Sequence, residues 1–224
     1  MKILSIDTAS NLCTVAILDD NKCKEEIIVD DARNHSEKIM PVIEEAFTKT
    51  NLKLTDMDLI VCDKGPGSFT GIRIGVGTVL AFQDSLNIPC IGISSLESLA
   101  YNVENSGIIC SLIDAKNNNV YFGLFEKKTT YKKIEEFSFK TIYEAISILE
   151  KYNNITFVGD GSVTYKELLK SKFSNCIFCN KNDLSSFSLG LAGLNAYKNN
   201  IDTSLMPLYL RKSQAERSLE EKSN

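Results

Sequence analysis

The sequence predicts an α/β protein made of two tandem βββαβαβα units. Apolar strand-like runs alternate with helical patterns in the same order in both halves. The openings of the two halves also align, SIDTASNLCTVAIL at 5–18 against LIDAKNNNVYFGLF at 112–125. Each is an apolar strand ending in Ile-Asp, a short polar turn and a second apolar strand, so Asp7 and Asp114 hold equivalent places. The expected division is 1–103, 104–210 and a polar tail, 211–224.

In the first half KILSID, CTVAILDD and CKEEIIVDD read as strands, the last two joined by a hairpin-like Asp-Asn-Lys turn. A helix follows at 36–50. Asn34 with Glu37 three residues on fits a capping box, and Ile39, Val42, Ile43, Ala46 and Phe47 form one apolar stripe. LIVCD is a buried strand and 68–86 a glycine-bearing helix; PCIGIS is a strand and SLESLAYN a short helix. In the second half IICSLID, VYFGLFEK and 132–139 are strands, 141–152 a helix and ITFVGD a strand. A helix at 165–173, a short strand NCIFCN and a helix at 186–198 complete the repeat.

The chain has 224 residues, 43% hydrophobic and 24% charged, enough to bury roughly 70% of its unfolded surface. A net charge of −4 argues against broad electrostatic capture of nucleic acid. The apolar stretch before Asp7 is too short for a signal-peptide core, and no run reaches the roughly 20 apolar residues of a membrane span. A soluble, cytoplasmic protein is expected, with no membrane partner. The seven cysteines lie mostly in apolar runs and read as reduced and buried. Cys176-x-x-Cys179 supplies only two metal ligands, and no second pair completes a site, so no metal is expected.

A duplicated unit with an Asp closing each first strand is the layout of the actin-like (ASKHA-type, ribonuclease H-like) ATPases. There the Asp and its turn approach phosphates, and the turn normally carries Gly so that backbone N–H groups come close. Here the turns are Asp7-Thr8-Ala9-Ser10 and Asp114-Ala115-Lys116-Asn117, neither with Gly. Asp7, Thr8, Ser10, Gly65, Gly67, Asp114 and Gly159 are the candidate nucleotide-proximal residues, and plain structural turns are the competing reading. The single histidine, His35, lies beside the capping residues and reads as a surface or capping group. Any Ser-His-Asp protease chemistry would have to use it.

Five glycines, Gly65, Gly67, Gly71, Gly75 and Gly77, fall within DKGPGSFTGIRIGVGT. Glycine inside a helix costs up to about 1 kcal/mol relative to alanine. Gly65-Pro66-Gly67-Ser68 leads into a helix N-terminus that suits an anion, but no Gly-Lys-Ser/Thr follows, so it is not a Walker loop. Gly67, Gly71 and Gly75 recur every four residues and would let another helix come close. Phe69, Ile72, Ile74, Val76, Val79, Leu80 and Phe82 make the helix apolar nearly all round. The helix at 36–50 or another chain must cover it.

DKGPGSFTGIRIGVGT closely resembles the GPGSFTGxRxG segment of the bacterial TsaB family, also called YeaZ. ILSIDTAS, RNHSEKIMP, GISSLESLA, VGDGS and MPLYLR sit where that family has similar segments, so the resemblance spans nearly the whole chain. One departure is clear. The family's Asp-Ala-Arg-x-Gly-Glu-Val-Tyr type segment reads Asp114-Ala115-Lys116-Asn117-Asn118-Asn119-Val120-Tyr121 here.

The resemblance implies the actin-like fold and a non-catalytic relative of TsaD, the metal-bearing threonylcarbamoyl transferase. It implies a heterodimer with TsaD and a larger assembly with the ATPase TsaE. That assembly makes threonylcarbamoyladenosine beside the anticodon of tRNAs, which it contacts indirectly through the complex. A homodimer when alone is also implied, through the helices matching 36–50 and 68–86. The expected interface residues are His35, Ile39, Ile43, Gly67, Phe69, Gly71, Ile72, Arg73, Gly75, Val76 and Val79. Gly71→Leu or Gly75→Leu is expected to block pairing and leave the monomer folded. No cofactor is required; ATP or ADP at the surface shared with partners fits the family. A glycoprotease role is not supported by these residues. The alternative function is a nucleotide- or peptide-hydrolysing enzyme of the same fold, and direct tRNA binding is a third reading.

Overall fold

The computed structural model of the chain describes residues 1–30, 35–201 and 203–211. Asn34 of the expected capping box and residues 212–224 of the expected tail lie outside the described residues.

Among the described residues, ten strands form two five-stranded sheets of one topology. The first runs β3-β2-β1-β4-β5, from β1 (Lys2–Asp7), β2 (Leu12–Asp19), β3 (Lys22–Asp30), β4 (Leu59–Asp63) and β5 (Cys90–Ile93). The second runs β8-β7-β6-β9-β10, from β6 (Gly107–Asp114), β7 (Asn119–Lys127), β8 (Tyr131–Thr141), β9 (Ile155–Val158) and β10 (Ile177–Phe178). In each, three strands form an antiparallel meander and two more add in parallel. Asp7 and Asp114 each end the central strand of their sheet, as the aligned openings require.

The helices are α1 (His35–Thr50), α2 (Phe69–Leu86), α3 (Ser95–Ala100), α4 (Ile142–Leu149), α5 (Asp160–Thr164), α6 (Lys166–Lys172) and α7 (Ser186–Lys198). Both faces of the first sheet are apolar, and the period-two alternation sorts them. Leu4, Ile6, Val15, Ile17 and Ile60 pack with Ile39, Ile43, Ile72, Val76 and Val79 of α1 and α2. Ile3, Ala16, Leu18, Leu59 and Val61 pack with Leu189 and Ala192 of α7. On the second sheet Cys110, Leu112, Phe122 and Leu124 meet α4 and Leu169 of α6. Leu96 of α3 packs on Tyr121 of the same sheet.

The last helix of each unit is therefore exchanged. The short α3 follows the strands of the first sheet yet packs on the second, while α7 follows the second and packs on the first, and the two helices meet. A division at 103/104 separates the strands of the sheets but not these helices. Helical spacing in the sequence shows that a helix is covered, not which sheet covers it. A buried hydroxyl network seats α7: the Ser5 hydroxyl donates to the Ser186 carbonyl at 2.5 Å, and the Ser186 hydroxyl donates to the Thr14 carbonyl at 2.7 Å.

Candidate functional site

A cleft of about 520 Å³ opens between the β1–β2 and β6–β7 turns. Ser10, Gly67 and Asp114 line it, with Lys116, Tyr121, Asp160, Asp183 and Arg211. Asp114 closes its own turn: Oδ1 accepts the Lys116 N–H at 2.9 Å and Oδ2 accepts Lys116 Nζ at 2.6 Å. The Asp114 N–H donates to Asp160 Oδ1 at 2.9 Å. Lys116, Asn117 and Asn118 take left-handed φ of 65°, 52° and 60°, a conformation that asparagine tolerates in place of glycine. Asn119 Nδ2 donates to the Lys116 and Asn117 carbonyls at 3.2 and 2.9 Å. The turn is further closed by the Ala115 N–H donating to the Asn119 carbonyl and the Asn119 N–H to the Lys116 carbonyl, both at 3.0 Å. Among the described residues, Asp30, Asp114, Asp160 and Asp183 outnumber Lys116 and Arg211 on the cleft wall, which opposes a bare phosphate chain. Burial raises the Asp160 carboxyl above its ordinary range.

The first turn lies deeper. Asp7 and Thr8 are buried and are not on the cleft wall. Asp7 Oδ1 accepts the Ala9 N–H at 2.6 Å, the same i to i+2 bond that Asp114 makes. Asp63 repeats it, accepting the Gly65 N–H at 2.6 Å, and also accepts the Ser95 hydroxyl at 2.6 Å. Parallel register pairs Ile6 with Cys62, so Asp7 and Asp63 follow side by side. The Oδ2 atom of each is buried without a hydrogen-bond partner among the described residues. Burial, then the Asp63 charge, raises the Asp7 carboxyl well above its ordinary value. Burial also pushes Asp63 up to about 7, outweighing its two donors. The sequence singled out Asp7 and missed Asp63, because only strand register brings them together.

Gly65, at φ 98°, lies against Leu208 and Ile72, and Gly159, at φ 99°, donates its N–H to Asn182 Oδ1 at 3.0 Å. Neither is on the cleft wall.

The glycine face of α2 turns inward, which corrects the expectation that it meets a partner. A Cβ on Gly67 would overlap the Ala9 carbonyl oxygen, and one on Gly71 the Thr8 carbonyl oxygen. On Gly75 it would lie 2.6 Å from Thr8 Oγ1. These glycines let α2 press on the β1–β2 turn of its own chain. Ile39, Ile43, Ile72, Val76 and Val79 are likewise in the chain's own core, so almost none of their surface is open to a partner. Of the expected interface residues Arg73 is exposed, and Phe69 and Gly67 are half-buried. The outward face of α2 is instead Thr70, Arg73, Gly77, Leu80 and Ala81, with Ile74 half-exposed beside them. Around Gly77 no atom of the described residues lies within 4 Å of a Cβ position. Periodicity in the sequence shows the glycine row but not which neighbour it faces.

His35 is buried, not a surface group. Its Nε2 lies 3.0 Å from the Ser10 carbonyl, tying α1 to the β1–β2 turn, and Nδ1 is buried with no partner among the described residues. The Ser10 hydroxyl accepts the Leu12 N–H at 3.0 Å. Among the described residues, no group of three His, Cys, Asp or Glu side chains could hold a metal ion. No helix among them is long and apolar enough to cross a membrane.

A family model described as TsaD, tRNA N6-adenosine threonylcarbamoyltransferase, matches residues 29–218. The tRNA threonylcarbamoyladenosine biosynthesis protein TsaB of Bacillus subtilis (strain 168) is 32% identical over 173 residues, 76% of this chain and 76% of that protein. The chain belongs to the TsaB (YeaZ) family. It also falls within the broader family that the TsaD model describes. A Pseudomonas aeruginosa structure, described as an uncharacterized protein similar to peptidase YEAZ, covers 94% of the chain with TM-score 0.78 at 23% identity; 99% of that protein is matched. The Clostridium difficile activator of 2-hydroxyisocaproyl-CoA dehydratase, solved with bound ADPNP, covers 91% with TM-score 0.53 at 11% identity, and 99% of it is matched. At these identities the two structures show the fold alone. It is the two-unit actin-like α/β fold of TsaB.

Proposed function

We propose that this chain works in tRNA threonylcarbamoyladenosine biosynthesis as a non-catalytic partner of the TsaD transferase. In this reading it forms a heterodimer with TsaD, joins TsaE in a larger assembly, pairs with itself when alone, and meets tRNA through the complex. The names of its TsaB relatives support the pathway. The observation that carries the partner role is the outward face of α2. Ile74, Gly77, Leu80 and Ala81 form a small-residue, apolar strip, with Leu80 40% exposed and Gly77 open to close approach. Met40 of the adjoining α1 is 43% exposed. The self-closed Asp114 turn and the acidic cleft wall support a non-catalytic role, with ATP or ADP belonging to a surface shared with the partners. Co-elution of the chain with TsaD from the same organism, parent against Gly77→Leu, tests the reading.

A hydrolase reading has one observation in its favour, the buried Asp7–Asp63 carboxylate pair. Both side chains are only 1% exposed and neither is on the cleft wall, so no substrate reaches them without an opening of the β1–β2 turn. Turnover of ATP or a peptide by the isolated parent chain, abolished by Asp7→Ala, would establish that reading instead.

A further inference from the structure

Residues 203–211, the segment TSLMPLYLR, lie apart from every helix and strand yet touch four parts of the molecule. At its start the Gly92 N–H of β5 donates to the Thr203 carbonyl at 3.2 Å, and Lys64 Nζ donates to the Ser204 carbonyl at 3.0 Å. In the middle the Leu208 N–H donates to the Lys64 carbonyl at 2.7 Å, beside the loop that carries Asp63 and Gly65. Tyr209 then stacks on Phe69, with centroids 4.7 Å apart, and accepts Arg73 Nε at 2.9 Å. Both partners are in the first two turns of α2. At the end Leu210 joins Leu96, Ala115 and Tyr121, and Arg211 Nη1 donates to the Ala115 carbonyl at 3.1 Å, its guanidinium 5.4 Å from the Phe139 ring.

We infer that this segment is a strap that couples the N-terminal end of α2 to the β6–β7 turn across the cleft. Tyr209 and Arg211 are two residues apart. One grips the first unit at α2 and the other grips the second unit at the Asp114–Asn119 turn. Two residues of extended chain span about 7 Å, too short to absorb movement at one end without passing it to the other. A molecule seated on Phe69, Arg73 and Tyr209 would therefore shift the β6–β7 turn and the cleft that Gly67, Ser68, Ala115 and Arg211 line. The use of the strap in partner binding rests on the reading above; the coupling itself is a property of this chain.

Hydrogen exchange of the isolated chain, resolved to single amides, tests the coupling with two variants. Tyr209→Ala loses side-chain contacts to Phe69 and Arg73 in the first unit, and Arg211→Ala loses contacts to Ala115 and Phe139 in the second. Coupling predicts that each raises exchange about fivefold or more at the far end. For Tyr209→Ala this means the Lys116 and Asn119 amides, and for Arg211→Ala the Gly71 and Ile72 amides, while amides of β1 and α7 keep parent rates. Faster exchange confined to the mutated end would overturn the proposal. If Tyr209→Ala also loosens β1, Tyr209→Phe, which removes only the hydroxyl that Arg73 donates to, is read by the same criterion. No partner is in the tube, so a purely local result would remove the strap and leave the partner role of α2 standing.

Discussion

Thr8 and Gly71 are locked face to face: the Thr8 hydroxyl donates to the Gly71 carbonyl at 2.7 Å, and a Cβ at position 71 would overlap the Thr8 carbonyl oxygen. The overlap is with backbone, which cannot rotate away. Gly71→Ala should therefore cost about 3 kcal/mol or more, a fall of roughly 6–12 °C in Tm by calorimetry. A melt unchanged from the parent would mean that α2 does not press on the β1–β2 turn as described. Gly71→Leu is thus a folding variant and cannot serve as a pairing variant.

Gly77 is the opposite case. It lies inside α2, faces outward, and a Cβ there meets no atom of the described residues within 4 Å. Gly77→Ala should stabilise the isolated chain by about 0.5–1 kcal/mol through helix propensity alone. Destabilisation by alanine, read from the denaturant midpoint, would show that the position is already covered.

The Asp7–Asp63 pair makes stability depend on pH. A carboxyl whose folded value is raised binds more protons in the folded chain than in the unfolded one. Its favourable contribution is complete below the ordinary carboxylate value near 4 and is lost as pH rises through the folded value, about 7 for Asp63. Asparagine at 63 could still accept from Gly65 and Ser95, and its amide would put a donor where an unpartnered Oδ2 now lies. Asp63→Asn should stabilise the chain at pH 8 by on the order of 2 kcal/mol and flatten the rise in stability between pH 8 and pH 5. Equal destabilisation at both pH values would show that Asp63 is needed as a carboxylate.

His35 predicts a smaller effect. Replacing it with Leu leaves the Ser10 carbonyl without the Nε2 contact at 3.0 Å. A loss of about 1–2 kcal/mol in denaturant unfolding is expected. No loss would place the imidazole outside the α1–turn contact.

Much of the fold was legible because its signals are local. The Ile-Asp openings, the strand alternation and the helices expected from 68 and 141 appear where the sequence suggested, and the Ser68 and Thr141 hydroxyls cap those helices, accepting N–H groups of Gly71 and Glu144. What was not legible depends on neighbours far along the chain. The row Gly67, Gly71, Gly75 marks a close approach, but Thr8 and Ala9, some sixty residues earlier, decide that it is internal. Asp63 pairs with Asp7 only through parallel register, and Arg211 reaches Ala115 across 96 residues. Between the expected strand ITFVGD and the helix expected at 165–173 the chain forms the short α5, in which the Ser162 hydroxyl donates to the Gly159 carbonyl at 2.7 Å.

We propose that this chain meets TsaD through the outward face of α2. The most direct measurement is light-scattering chromatography of the chain, alone and mixed with TsaD from the same organism, with parent and Gly77→Leu run side by side. A one-to-one complex is expected for the parent and none for Gly77→Leu, although the variant melts no lower than the parent. A complex that forms equally well with Gly77→Leu, or no complex with the parent even when TsaE and nucleotide are added, would contradict it.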